Sequence, residues 1–235
     1  MNPVSAGAAP VHYHRRMNSD TLECVLADAV AGRRLLTHPF YRRWEAGTLR
    51  LADLAEYAAQ YRHVEAELPA TLARCAESLP AGPVRTVVEA TLRDESGSED
   101  DTSHLELFDD YARATGAPNE AAATPATAAL VALYREAAEA GPAATLAVLA
   151  AYEVQAAEIA ATKGDGLRRW YAMDEDATRF WDVHAQLDDL HHQWTLDALA
   201  ALAEDPAEVV VQARRAAEAW WAFLDEREAL LADAA

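Results

Sequence analysis

The stretch Phe180–Trp194, "FWDVHAQLDDLHHQW", decides how this chain is read. Its apolar residues recur at helical spacing. On a wheel of about 100° per residue, three polar side chains then share one side. With His184 at zero, Asp188 falls at about +40° and His191 at about −20°. Phe180, Leu187, Trp194 and Ala198 lie beside them at roughly −40° to −80°. Asp182, Gln186, Asp189, Gln193 and Asp197 gather on the opposite, wet side. His184, Asp188 and His191 therefore face a core. A buried His or Asp costs free energy unless it is paired or bound. The three form either a private hydrogen-bond network or part of a metal site. His192 points elsewhere and reads as a surface residue.

The same wheel applied to "LAVLAAYEVQAAEIAATK" (146–163) sets Glu153 in an apolar stripe. Leu146, Leu149, Ala156, Ala157 and Ala160 all fall within about 60° of it, whereas Glu158 lies about 140° away and reads as exposed. Burial raises the pKa of a lone carboxylate, and a cation is the natural way to neutralise it. Any one inward His or Glu is more often a satisfied structural residue. Four on two helices, with i, i+4, i+7 spacing on one of them, are the raw material of two-metal carboxylate sites in helical bundles. Two carboxylates and two imidazoles still fall short of two metals. "RDESGSEDDTSHLELF" (93–108) offers Glu95 at the end of one helix and His104 at the start of the next. Glu99, Asp100 and Asp101 compete for the acidic role, and periodicity does not choose among them.

Outward from these segments, the 235-residue chain is long enough for one large domain with a full core. Abundant Ala, sparse Gly and Pro and short β-branched runs point to an all-α protein. Helical periodicity predicts elements at about 19–35 (capped by Ser19 or Asp20), 38–47, 51–79 with a kink at Pro69, 83–95 and 103–115. Further helices open near Pro125 and Pro142, one covers about 174–203, and "DPAEVVVQARRAAEAWWAFLDEREALLADA" supplies the last. The sum is eight or nine helices in one bundle. Residues 1–16 read as a mobile N-terminal tail without the apolar stretch of a signal peptide, and 17–235 as one helical domain. The formal charge of −19 repels phosphate backbones and anionic lipid, which argues against nucleic-acid and membrane partners. No apolar run reaches the roughly 20 residues of a membrane span. Cys24 and Cys75 match no zinc spacing and read as buried thiols in a reducing compartment, the cytoplasm. Trp220 and Trp221 read as core packing, with a homodimer contact as the alternative.

Four segments, "LLTHPFYRRWEAGTLRLADLAEYAAQY", "DESGSEDDTSHLELFDDYARATG", "AAYEVQAAEIAATK" and "DEDATRFWDVHAQLDDLHHQW", taken in order, resemble the heme-oxygenase-like dimetal (diiron) oxidases and oxygenases. The resemblance covers about residues 35–225. It implies a heme-oxygenase-like, TenA-like bundle of about seven core helices. It also implies six metal ligands: Glu95, His104, Glu153, His184, Asp188 and His191, with Glu99 a substitute for Glu95. Glu65 and Glu67 are candidates for contact with those ligands. The implied cofactors are two Fe ions, or one Fe and one Mn, which suit mixed His and carboxylate donors. O2 is the implied co-substrate, and the electron donor is unidentified.

The closest branch resembles the chlamydial protein associating with death domains and its para-aminobenzoate-synthase-like bacterial relatives. That branch implies an enzyme that spends its own side chains. Tyr41, in "HPFY", would supply the ring from a place near the metals, and Lys163 the amino group. Tyr57 and Tyr152 match further tyrosines near the site. On the Glu153 wheel Lys163 lies about 80° off, at the flank of the metals. The alternatives are a dimetal oxygenase acting on an external amine, amino acid or fatty acid, a TenA-type thiaminase with a cysteine nucleophile, and a non-catalytic interaction protein.

Overall fold

In the computed structural model, residues 18–98, 102–118, 120–203 and 205–233 are described, those at 187–190, 232 and 233 by their backbone alone. The expected tail 1–16 and the loop candidates Glu99, Asp100 and Asp101 lie outside the described residues. Nine α-helices follow one another: α1 Ser19–Val30, α2 Pro39–Glu45, α3 Leu51–Ser78, α4 Pro83–Ser96, α5 His104–Thr115, α6 Pro125–Ala140, α7 Pro142–Tyr171, α8 Glu175–Leu202 and α9 Pro206–Asp233. No strand occurs among the described residues. The all-α expectation holds.

Local chemistry explains most of the boundaries. Five helices open on Pro39, Pro83, Pro125, Pro142 and Pro206, where the missing N–H costs nothing. Ser103 caps α5 in a reciprocal exchange with Glu106, and Gly116, at φ 78°, ends it. Two boundaries differ from expectation. The cap of α1 is Asn18, whose side chain accepts from Thr21 N, one residue before the expected Ser19. The same helix stops at Val30, short of 35. Two 3-10 turns then carry the chain over the core, and Gln155 Oε1 of α7 accepts from the Leu35 N–H at 2.9 Å. Pro69 sits inside α3, which continues through it to Ser78.

The deepest helix is α7. It packs along α8 and α9 and also touches α1, α2, α3 and α6. By length and composition α7 could cross a membrane, contrary to the sequence expectation. In this structure most of its apolar stretch is buried in the bundle. The helix also runs two turns past Lys163, so that this residue lies in the core rather than at a solvated end. Gly166 makes room there: a Cβ on it would sit 2.9 Å from Trp44 Cδ1. Trp44 Nε1 in turn donates to the Lys163 carbonyl at 3.3 Å.

Short α2 is held in place by His38. The His38 Nδ1 accepts from Phe40 N at 3.1 Å, so the ring proton is on Nε2, which donates to Asp225 Oδ1 of α9 at 3.0 Å. Burial lowers the His38 pKa against the pull of Asp225, and the ring stays neutral. Trp221 packs edge-on against it, with centroids 4.7 Å apart, and Trp220 is buried. Cys75 is buried, but Cys24 is exposed, because α1 turns Leu22, Leu26 and Val30 inward and leaves Cys24 on the outer face.

Gly166→Val forces two branched carbons against the rigid Trp44 ring and costs about 1–3 kcal/mol. Its melting temperature is expected several degrees below that of the unmodified chain in thermal denaturation. Gly32→Ala, where a Cβ meets nothing within 4 Å, leaves the melting temperature unchanged.

Candidate metal centre

The inner faces of α3, α4, α6, α7, α8 and α9 converge on a cavity of about 60 Å3. Glu65, Glu95, Glu153, His184 and His191 line it, together with Tyr61, Tyr152 and apolar side chains. The helix ends place two donors. Glu95 stands in the last turn of α4 and His104 is the first residue of α5. His104 Nδ1 lies 2.8 Å from Glu95 Oε2. Both are buried. One ligand atom each from Glu95, His104 and His184 lie within 4.8 Å of one another, the spacing a single cation can bridge.

His184 is oriented for ligation. Its Nδ1 donates to the Phe180 carbonyl one turn back at 2.8 Å, which fixes the tautomer and leaves Nε2 with a lone pair. Burial and the neighbouring His104 push its pKa down to about 4, so the ring is neutral at pH 7. Burial works against the Glu95 charge, but the His104 hydrogen bond and the surrounding imidazoles hold its pKa below the ordinary carboxylate value.

On α7, Glu153 is pushed up to about 8 by burial and by Glu95, against a hydrogen bond from Thr195. Its Oε2 is buried with no hydrogen-bond partner. An orphaned carboxylate oxygen in a cavity shared with imidazoles is the chemistry that a cation satisfies. The nitrogen and oxygen donors, with no thiolate among them, suit iron. His191 lines the same cavity, and its Nε2 lies 3.2 Å from Asp94 Oδ2, the carboxylate–imidazole pairing that orients metal-binding histidines. Glu153 and His191 stand outside the tight trio. The side chain of Asp188 lies outside the described residues.

Of the two outer candidates, Glu65 lines the cavity. Glu67 does not: it turns to α6 and accepts from Arg135 at 2.6 Å. Two residues along a helix swing a side chain by about 200°, so both could not face the site. His192 is partly buried rather than an ordinary surface residue. Glu158 is exposed as expected and pairs with Arg34 at 2.7 Å.

Tyr152 lines the cavity, and its hydroxyl lies 3.0 Å from that of Tyr61. Tyr41, Tyr57 and Lys163 stand behind that wall and do not line it. Tyr61 stacks on Tyr57 with centroids 5.4 Å apart. The Tyr57 and Tyr41 hydroxyls share a hydrogen bond of 2.8 Å. Lys163 Nζ donates to the Tyr57 hydroxyl at 2.7 Å. Sequence reading set Tyr41 near the metals; in the structure it is hydrogen-bonded to Tyr57, which stacks on the wall residue Tyr61.

Lys163 is 1% exposed and sits in a cage of rings. Its Nζ lies 4.2 Å from the Trp181 ring centroid and 4.5 Å from that of Tyr41. Tyr57, Tyr61 and Trp44 complete the cage. A desolvated cation–π contact contributes about 2 kcal/mol, whereas an unpaired buried ammonium costs several. Burial wins, and the amine is held well below its ordinary pKa. Burial likewise holds the Tyr41 and Tyr57 phenols above theirs.

Sequence reading missed Tyr61, Thr195, Asp94 and the tryptophan cage. The i, i+4 spacing of Tyr57 and Tyr61 was the available signal for the first. The others come from different helices and leave no local trace.

The model of a protein family described as iron-containing redox enzyme matches residues 55–221. The chain is 35% identical over 227 residues to 4-aminobenzoate synthase of Nitrosomonas europaea, covering 89% of this chain and 92% of that protein. It is 26% identical over 211 residues to 4-aminobenzoate synthase of Chlamydia pneumoniae, covering 85% and 92%. Among solved structures, a TenA homolog from Pseudomonas syringae pv. tomato superposes with a TM-score of 0.75 at 15% identity, covering 96% of this chain and 99% of that one. A domain of unknown function with a heme oxygenase-like fold from Shewanella denitrificans gives 0.73 at 17% identity, covering 92% and 94%. At such identities the structures establish the fold, a heme-oxygenase-like and TenA-like bundle. The match along 55–221 and the 35% identity establish more: this chain belongs to the iron-containing redox enzyme family.

Proposed function

We propose that this protein is a non-heme dimetal oxygenase that forms 4-aminobenzoate from its own Tyr41, with the nitrogen of Lys163. The observation that carries the reading is the placement of a fully buried amine, its pKa lowered by burial, 4.5 Å from the ring of a fully buried tyrosine, beside a cluster of metal-ligand type. The two relatives that bear the name 4-aminobenzoate synthase support it.

Glu95, His104, Glu153, His184, Asp188 and His191 would hold two iron ions, or one iron and one manganese. The bound ions would supply reducing electrons to O2 and, from it, the oxidising power for cleaving a carbon–carbon bond. The remaining electrons would come from a donor yet to be identified. The chain's own residues set what is oxidised. Tyr41 presents ring carbons plus Cβ, the carbon skeleton of 4-aminobenzoate. Its hydroxyl and its Cβ are para to each other, as are the amino and carboxyl groups of that product. Nitrogen would therefore arrive at the carbon that carries the hydroxyl, whose oxygen would leave as water, while the Lys163 Cε–Nζ bond breaks and Cε ends as an aldehyde, its two electrons passing to the O2-derived oxidant. The hydroxyl end of Tyr41 meets Tyr57, and Tyr57 meets Lys163 Nζ. Burial lowers the amine's pKa, which favours its nucleophilic form, and the aromatic wall keeps water away from it.

The size of the cavity weighs against an external amine, amino acid or fatty acid. About 60 Å3 holds a few small molecules such as O2 or water, whereas organic substrates occupy sites of about 300–1,000 Å3. A TenA-type thiaminase needs a ready thiolate. Cys75 is pushed up to about 11 by burial, and Cys24 lies on the outside of α1.

Tyr41→Phe is expected to abolish 4-aminobenzoate while retaining metal, when apo protein is loaded anaerobically with Fe(II), with and without Mn(II), then exposed to O2. Mass spectrometry of small molecules and of the intact chain reads the result. Product at the unmodified level from that variant would remove Tyr41 as the source. Lys163→Met, which keeps the volume and removes the nitrogen, is expected to fold and yield no 4-aminobenzoate. Protein grown on lysine labelled with 15N should give product one mass unit heavier (about 1 Da).

Metal uptake should release protons. With its pKa near 8, Glu153 is mostly protonated at pH 7 in the metal-free chain and must ionise to bind. Calorimetric titrations with Mn(II) at pH 7, in buffers of different ionisation enthalpy, should show net proton release that fades above pH 8. An uptake enthalpy that is the same in every buffer would contradict this.

A further inference from the structure

We propose that Glu65 is a further metal ligand at this centre, a carboxylate additional to Glu95, His104, Glu153, His184, Asp188 and His191. The inference rests on the metal-centre reading above and extends it to α3, a helix from which no ligand is drawn there.

Glu65 is 6% exposed and lines the same cavity as Glu95, Glu153, His184 and His191. The Tyr61 hydroxyl, one turn back, donates to its carboxylate. Tyr152 donates to Tyr61 in turn, at 3.0 Å. The Tyr61 hydroxyl occupies one lone pair of Glu65, and the carboxylate lines the cavity.

The other carboxylates buried on α3 have found a cation. Glu67 has Arg135 at 2.6 Å, and half-buried Glu56 has Arg227 at 3.3 Å. Among the described residues no arginine or lysine forms an ion pair with Glu65. Lys163, the ammonium-type group in its neighbourhood, is committed to the Tyr57 hydroxyl. A carboxylate walled in beside Glu95 and Glu153 without a cation of its own is unstable in the protein interior.

Charge counting gives the same assignment. Two divalent ions carry four positive charges, and Glu95, Glu153 and Asp188 answer three of them. Glu65 supplies the fourth. The loaded centre is then neutral inside a low-dielectric bundle, where a residual charge would be costly.

The test uses the full chain and ferrous ion alone. Apo protein, Glu65→Gln and Glu67→Gln are titrated anaerobically with Fe(II). Bound iron is measured by elemental analysis after gel filtration, and the melting temperature is recorded before and after loading. Unmodified protein is expected to retain two equivalents. Glu65→Gln should lose the second equivalent or hold it about tenfold or more weakly, and should gain less in melting temperature on loading. Its metal-free form should be no less stable than the unmodified chain, since the amide, like the protonated acid, sets no second charge beside Glu95. Glu67→Gln should keep both equivalents while its metal-free form melts lower, because Arg135 loses its partner. If Glu65→Gln fails to fold, Glu65→Asp replaces it, since that carboxylate is shorter by one carbon and reaches less far. Two equivalents held with unmodified affinity by the variant would overturn the inference and leave the metal centre standing. Unmodified protein that binds no iron would overturn both.

Discussion

Glu65, Glu95 and Glu153 meet in a cavity that no ion-paired arginine or lysine reaches among the described residues. Charged, each would cost several kcal/mol in so dry a place, against a net stability of about 5–15 kcal/mol for a typical domain. The metal-free chain solves this by holding protons, as the values near 8 for Glu65 and Glu153 indicate, and by a close contact between Glu95 and His104. Both are temporary solutions, since each proton occupies a lone pair that a cation could use. A fold that gathers acids where its hydrophobic packing would be better served by leucine is locally in conflict with itself, and such conflicts belong to functional sites. The packing of α7 along α8 tolerates the conflict. Glu153 and the histidines project from the two helices that share the longest seam, so the donors are rigid where the backbone is most firmly held.

The second buried charge problem has the opposite sign and a different solution. Among the described residues Lys163 has no carboxylate ion-pair partner but several aromatic faces. Rings are polar enough to host an amine yet too weak to offset the desolvation of an ammonium. The cage therefore lowers the pKa of the amine. Tyrosines fill the space between the cage and the cavity: Tyr61 and Tyr152 on the cavity wall, Tyr57 behind them, Tyr41 last. The acids and the amine are thus kept apart by stacked phenols rather than joined in a salt bridge, and each keeps its own reactivity.

Much of this could be read from the chain before its fold. Helical periodicity placed His184 and His191 inward with Glu153 opposite, since a wheel reports orientation faithfully inside a long helix. Glu95 and His104 were harder, because both sit at helix ends flanking a polar loop where periodicity carries no information. They came from resemblance, and the structure brings them to 2.8 Å. Lys163 was expected at the flank of the metals, and it lies behind the cavity wall in a cage of rings. Gly164 and Gly166 thin the helix where Trp181 and Trp44 press against it. Cys24 was misjudged because a cysteine is usually buried by its own chemistry, while α1 already had Leu22, Leu26 and Val30 for its inner face. The cage around Lys163 was invisible, for its walls come from α2, α3 and α8.

The latch between His38 and Asp225 has a consequence for what happens after the chemistry. Tyr41 is 1% exposed and belongs to a helix of seven residues. A fragment freed from it would be imprisoned, and its way out is for α2 to lift away from α9. Two polar tethers oppose that motion, His38 to Asp225 and Arg43 to Glu228, each with a solvent-facing partner and so of modest strength. Burial of Phe40, Tyr41 and Trp44 opposes it further, so lifting α2 is a costly local unfolding. Departure of the aromatic fragment would then be timed by this hatch and not by bond-making. If Tyr41 is spent once per polypeptide, as proposed above, a slow exit would forfeit no turnover, which would leave the burial of Tyr41 free to be as complete as the chemistry demands.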